Sequence, residues 1–80
     1  MNSVMVESTT LSSLAYDEAR EILQLEFRSG SIYRYYGVPS VVHEALLNAA
    51  SKGSYFNRAI RGHFPYALAA SGQARGVGRV

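Results

Sequence analysis

Alternation of apolar and polar side chains is clearest from Glu21 to Phe27. Leu23, Leu25 and Phe27 share one side of an extended chain, and Ile22, Gln24 and Glu26 share the other. Leu14 and Tyr16 show the same spacing within Leu11 to Tyr16, and Asp17-Glu18-Ala19-Arg20 between the two stretches is a polar turn, with Asp17 able to accept from a nearby backbone amide. A third stretch, Ser31 to Tyr36, is rich in β-branched and aromatic residues, with Gly30 before it and Gly37-Val38-Pro39 after it marking where the backbone turns.

Register in the second hairpin decides where the tyrosines go. With Arg28-Ser29-Gly30 as a bulged loop, Leu25 pairs with Tyr33 and Leu23 with Tyr35, which places both tyrosines on the core face. With Ser29-Gly30 alone as the turn, every side chain of the strand reverses. The bulged loop is preferred, because glycine stands where it needs positive φ and a primed two-residue turn favours Asn-Gly or Asp-Gly.

Beyond Gly37 the period changes. Pro39 suits a first helical turn, and Val42, Leu46 and Ala49 lie on one stripe of Ser40 to Ala50. Gly53 is a candidate terminator, with Ser51 or Ser54 a candidate N-cap for the next helix. That second short helix, Tyr55 to Arg61, turns Phe56 and Ile60 inward and Arg58 and Arg61 outward, and Gly62 ends it. The expectation is an α+β fold, in which a three-stranded antiparallel meander (11–16, 21–27, 31–36) is followed by two short helices packed on one face. Its core is Leu14, Tyr16, Leu23, Leu25, Phe27, Tyr33, Tyr35, Val42, Leu46, Phe56 and Ile60. Residues 1–10 form a lead-in that either frays or adds an edge strand, 11–66 form the domain, Phe64-Pro65-Tyr66 is a candidate aromatic clasp, and 67–80 form a flexible tail.

Eighty residues, 48% of them hydrophobic, suffice for one domain with a modest core. There is no cysteine, which removes disulfides, thiolate nucleophiles and Cys-containing zinc sites. The opening residues carry neither a basic stretch nor a long apolar run, so the reading is a soluble, cytoplasmic protein without membrane association. Charge is segregated. Through Glu44 three arginines face six carboxylates, whereas Lys52, Arg58, Arg61, Arg75 and Arg79 come after it with no acid among them. Such segregation suits an anionic partner, and it equally suits a basic helix that is simply solvated.

The run from Ser12 to Tyr66 resembles the KTSC domain, on the strength of Ala15-Tyr16-Asp17, Leu23-Gln24-Leu25-Glu26-Phe27, Gly30, Tyr33-Arg34-Tyr35, Gly37-Val38-Pro39, Ser51-Lys52-Gly53, Tyr55-Phe56-Asn57 and Ile60-Arg61. That resemblance implies a small module, found alone in bacteria and phages and at the C-terminus of some lysyl-tRNA synthetases, with RNA binding as its suggested role.

Candidate chemistry is sparse. His43 and His63 have no partner at a metal-ligand spacing, no Gly-x-Ser-x-Gly elbow is present, and Asp17, Glu18, Glu21 and Glu26 occupy a turn and a solvent-facing strand side. The reading is therefore a non-enzymatic binding module with no cofactor and no metal. In the nucleic-acid version Lys52, Arg58 and Arg61 contact phosphates, Arg34 assists, and an aromatic among Tyr35, Tyr36 and Tyr55 stacks a base. In the protein-interaction version the module docks on a larger protein through Tyr36, Ile32 or an uncovered sheet edge.

Overall fold

The computed structural model describes residues 3–71. Five strands form one antiparallel sheet in chain order: β1 (Ser3–Met5), β2 (Leu11–Asp17), β3 (Ile22–Phe27), β4 (Ile32–Tyr36) and β5 (Tyr66–Ala70). Between β4 and β5 lie α1 (Ser40–Asn48) and α2 (Lys52–Tyr55), the latter continuing directly into a π-helical turn, Phe56–Ile60. The architecture is α+β, and two strands flank the expected meander. Part of the lead-in is the edge strand β1, pairing Val4 with Leu14. Residues 67–70, expected in the tail, belong to β5, where Leu68 pairs with Tyr33 and Tyr66 with Tyr35. The rest of the expected tail, including Arg75 and Arg79, lies outside the described residues.

The second hairpin adopts the bulged register. Leu25 is opposite Tyr33 and Leu23 opposite Tyr35. Gly30 has φ +97° and donates to the Phe27 carbonyl at 2.8 Å, while the Phe27 amide donates to Ser31 at 2.9 Å. The first hairpin closes on Glu21 at φ +56°, an uncommon value for a residue with a Cβ. Asp17 Oδ1 accepts from the Arg20 amide at 3.2 Å, so strand β3 starts at Ile22.

Inside the sandwich of sheet and helices, Leu11, Leu14, Leu23, Leu25, Val38, Leu46 and Ile60 are fully buried, with Tyr35 and Phe56 nearly so. Leu11 and Val38 extend the expected core. Tyr16, Phe27, Tyr33 and Val42, expected within it, are half-buried and packed against its margin. Leu11 faces inward because the β2–β3 register shifts between Leu11 and Ser13, a bulge that sequence alternation alone does not announce. Pro39 stands one position before α1, its carbonyl accepting from Val42 and His43.

Ser51 is the N-cap of α2, its hydroxyl accepting from the Ser54 amide at 3.3 Å. Gly53, expected to terminate a helix, instead sits in the first turn of α2, where a Cβ would run into the side chain of Thr10. Close approach, not chain reversal, is its role. Gly62, at φ +79°, comes after the π turn as expected of a helix-ending residue.

The packing of α1 on β2 carries a pH dependence. The His43 ring stacks on Tyr16 with centroids 4.4 Å apart and planes 13° from parallel, and the Tyr16 hydroxyl donates to the Val38 carbonyl at 2.6 Å. Burial lowers the pKa of His43 below its usual value, against the smaller opposing pull of Glu44 and Glu18. As pH falls the unfolded chain therefore takes up this proton first. Stability should be lost from about pH 6.5 downward and level off below the folded-state pKa. Melting temperatures at pH 7.5 and 5.5 should differ more for the parent than for His43→Phe, which keeps a stacked ring. An equal drop in both would show that His43 does not carry the effect.

Candidate functional site

Cross-strand pairing assigns each polar or aromatic side chain to one of two sheet faces. Gln24 pairs with Arg34, and Ile22 with Tyr36, on the side away from the helices. The Arg34 Nε donates to Gln24 Oε1 at 2.8 Å, an exposed cross-strand bond, and Tyr36 is exposed beside it. Of the other residues expected at a nucleic-acid site, Tyr35 is nearly buried on the helix-facing side of β4, and Lys52, Tyr55, Arg58 and Arg61 lie on or at the end of the helical segment across the sheet. Lys52 Nζ donates to the Ala49 carbonyl at 3.2 Å, closing the end of α1. The Arg58 guanidinium sits 5.5 Å from the Tyr55 ring centroid, a cation–π pair at the surface. Arg61 Nη1 donates to Asn57 Oδ1 at 3.1 Å. Thus Lys52, Tyr55, Arg58 and Arg61 share one helical segment, while Arg34 and Tyr36 belong to a different surface. The cause is the period-2 geometry of β4, which turns Arg34 and Tyr36 away when Tyr33 and Tyr35 face the helices.

Those inward tyrosines form the floor of an open cleft of about 440 Å³ between β3, β4, β5 and the π turn. Its aromatic wall is Phe27, Tyr33, Tyr35, Phe56 and Tyr66. Phe56 meets Phe27 and Tyr35 edge-on at 5.3 and 5.6 Å, and Tyr66 lies 5.7 Å from Tyr33 and 5.5 Å from Tyr35. Tyr66 is 60% exposed, so its ring is the accessible edge of a cluster whose other side is core. The polar rim combines hydroxyls of Thr10, Ser29 and Ser31 with Asn57 and Arg61. Arg61 is brought there by the π turn, in which its amide donates to the Phe56 carbonyl at 2.9 Å, five residues back.

Electrostatically the cleft is one-sided. Its described lining holds a single cation and no carboxylate. Among the described residues the one ion pair is Arg20 with Asp17, at 3.9 Å on the distant β2–β3 turn, so the cations of the helical segment are not neutralised by neighbours. Burial pushes the Tyr35 phenol up to about 12, with Tyr33 and Tyr66 adding to the shift and Arg61 opposing it. At neutral pH this hydroxyl is a donor. Rings to stack on, hydroxyls to donate and a guanidinium at the rim together suit a planar, polar, anionic ligand.

Sequence reasoning placed Tyr66 in an aromatic clasp but not in a strand or a site, and it missed Asn57 and the hydroxyl rim. A signal for Tyr66 existed, since Tyr66 and Leu68 keep strand spacing, but alanines around them weaken it. His43 is committed to Tyr16, and among the described residues no cluster of three metal-ligating side chains occurs and no helix is long and apolar enough to cross a membrane.

Known proteins share this outline. The sequence profile of the KTSC domain matches residues 7–64. A protein of uncharacterised function from Stutzerimonas stutzeri is 45% identical over 67 residues, which are 82% of this chain and 94% of that protein. A lysine–tRNA ligase from Nostoc is 47% identical over 60 residues, 75% of this chain but 11% of the ligase. The crystal structure of a KTSC domain protein from Yersinia pestis superposes with a TM-score of 0.84 at 32% identity, covering 86% of this chain and 97% of that one.

Proposed function

Because the chain belongs to the KTSC domain family, some members of which are small parts of lysine–tRNA ligases, we propose that it is a non-catalytic module that binds RNA through its second helix. The observation that carries this reading is the gathering of Lys52, Arg58 and Arg61 on one helical segment beside an open aromatic cleft, with no acid after Glu44 to oppose them. Phosphates would be met by these three side chains, and the ring under Arg58 orients its guanidinium. Arg34 and Tyr36 have no part in this contact, since they occupy the opposite face of the sheet. The alternative, docking on a larger protein, draws on exposed Tyr36 and on the outer edge of β5, whose Tyr66 and Leu68 are more than half exposed.

Contacts to phosphate release condensed counterions, so affinity for single-stranded RNA should fall steeply with salt. Changing Lys52, Arg58 and Arg61 together to Gln should reduce the log–log salt slope by about 2, at about 0.7 per single-strand phosphate contact. Fluorescence-anisotropy titration against single-stranded and duplex RNA and DNA at two salt concentrations checks this. No binding at low salt would overturn the RNA reading and leave protein docking in front.

A further inference from the structure

We infer that the aromatic cleft receives one unpaired nucleotide of a single strand, its base against the Tyr33, Tyr35 and Tyr66 rings and its phosphate at Arg61. This rests on the RNA reading and specifies where a base, as distinct from the phosphate backbone, is held. Size comes first. At about 440 Å³ the cleft lies toward the small end of the range of small-molecule sites, about 300–1,000 Å³, and suits one nucleotide. A base inside a duplex is stacked on both faces and cannot enter such a recess, so the occupant has to be unpaired.

Chemistry narrows it further. Every nucleobase has a π-face, and the ring most open to one is Tyr66, 60% exposed and held at 5.5 and 5.7 Å from Tyr35 and Tyr33. The rim adds Asn57, whose amide can donate while its oxygen accepts from Arg61, and the hydroxyls of Thr10 and Ser29. The Tyr35 hydroxyl stays protonated at neutral pH and so donates. Arg61 uses one N–H on Asn57, which aims a planar, multi-donor cation along the rim. A carboxylate anywhere in the lining would repel a phosphodiester, and none is there among the described residues. An acidic peptide would satisfy the guanidinium but would leave a ring-lined floor without a planar partner.

The test uses the full chain and a short single-stranded RNA carrying one 2-aminopurine, compared with the same base paired inside a hairpin. At low salt the single strand should change its 2-aminopurine emission on binding, and the hairpin should bind more weakly without that change. Tyr66→Leu, at an exposed strand position that tolerates an aliphatic side chain, should weaken single-strand binding by about 5- to 100-fold. Arg61→Gln should weaken it and lower the salt slope by about 0.7. Tyr36→Leu, on the opposite sheet face, should leave affinity unchanged. Circular dichroism melts verify that each variant is folded, and chemical-shift mapping with adenosine monophosphate should move the Phe27, Phe56 and Asn57 resonances. Salt-dependent binding that is indifferent to Tyr66→Leu, with no change in 2-aminopurine emission, would overturn this inference and leave the RNA reading standing. Loss on Tyr36→Leu instead would assign the base to the open sheet face. Absence of binding to every oligonucleotide would overturn both.

Discussion

Replacing Leu25 by alanine is expected to lower the free energy of unfolding by about 2–5 kcal/mol, as removal of a fully buried leucine does when its surroundings cannot collapse. Leu25 is the centre of a cross-strand row, opposite Leu14 on one side and Tyr33 on the other. The helical residues Leu46, Phe56 and Ile60 close the same core from above. A cavity there would be walled by three strands, α1 and the π turn, so relaxation of any one element leaves the others holding it open. Gln24, its neighbour in sequence, points to the other face and touches Arg34 through an exposed hydrogen bond. Gln24→Ala should cost less than about 1 kcal/mol. Urea titrations of the two variants give the comparison, and coincident midpoints would mean that the faces of β3 are assigned wrongly.

Gly30→Val should cost about 1–3 kcal/mol, because φ at +97° is closed to a β-branched residue and the loop has to distort to admit it. The damage reaches further than the loop. Gly30 and Phe27 close the bulge through the bonds to the Phe27 carbonyl and from the Phe27 amide to Ser31, which set the register of β4. Slippage by one residue would carry Tyr33 and Tyr35 to the opposite face and remove the floor of the cleft. A fall in urea midpoint accompanied by loss of cross-strand nuclear Overhauser effects between Leu25 and Tyr33 is the expected signature. A neutral substitution would show that the bulged loop is not formed.

Local pattern was sufficient for the central hairpins because the relevant interactions are between neighbours in sequence. The positions of Leu23, Leu25 and Phe27 result from a period of two, and Gly30 stands at the one loop position that demands positive φ. Ser51 as a cap and Phe56 with Ile60 as an inward pair are similarly local. Gly53 illustrates the limit. Its composition-level reading is a helix end, yet it serves a contact with Thr10, more than forty residues earlier in the chain.

Side-chain period, turn chemistry and charge count were thus enough to read the order of the central strands and helices, the face on which Tyr33 and Tyr35 lie, and the segregation of positive charge after Glu44. Long-range pairing was needed to make outer strands of Ser3–Met5 and Tyr66–Ala70, because the first is only three residues long and the second is mostly alanine, a poor strand former, and their backbone groups are satisfied by β2 and β4. Folding also settled which candidates meet. Strand pleating sends Arg34 and Tyr36 away from the helical cations, and a π turn, whose extra residue leaves no mark in the hydrophobic pattern, swings Arg61 to the mouth of a cleft built from tyrosines more than thirty residues apart.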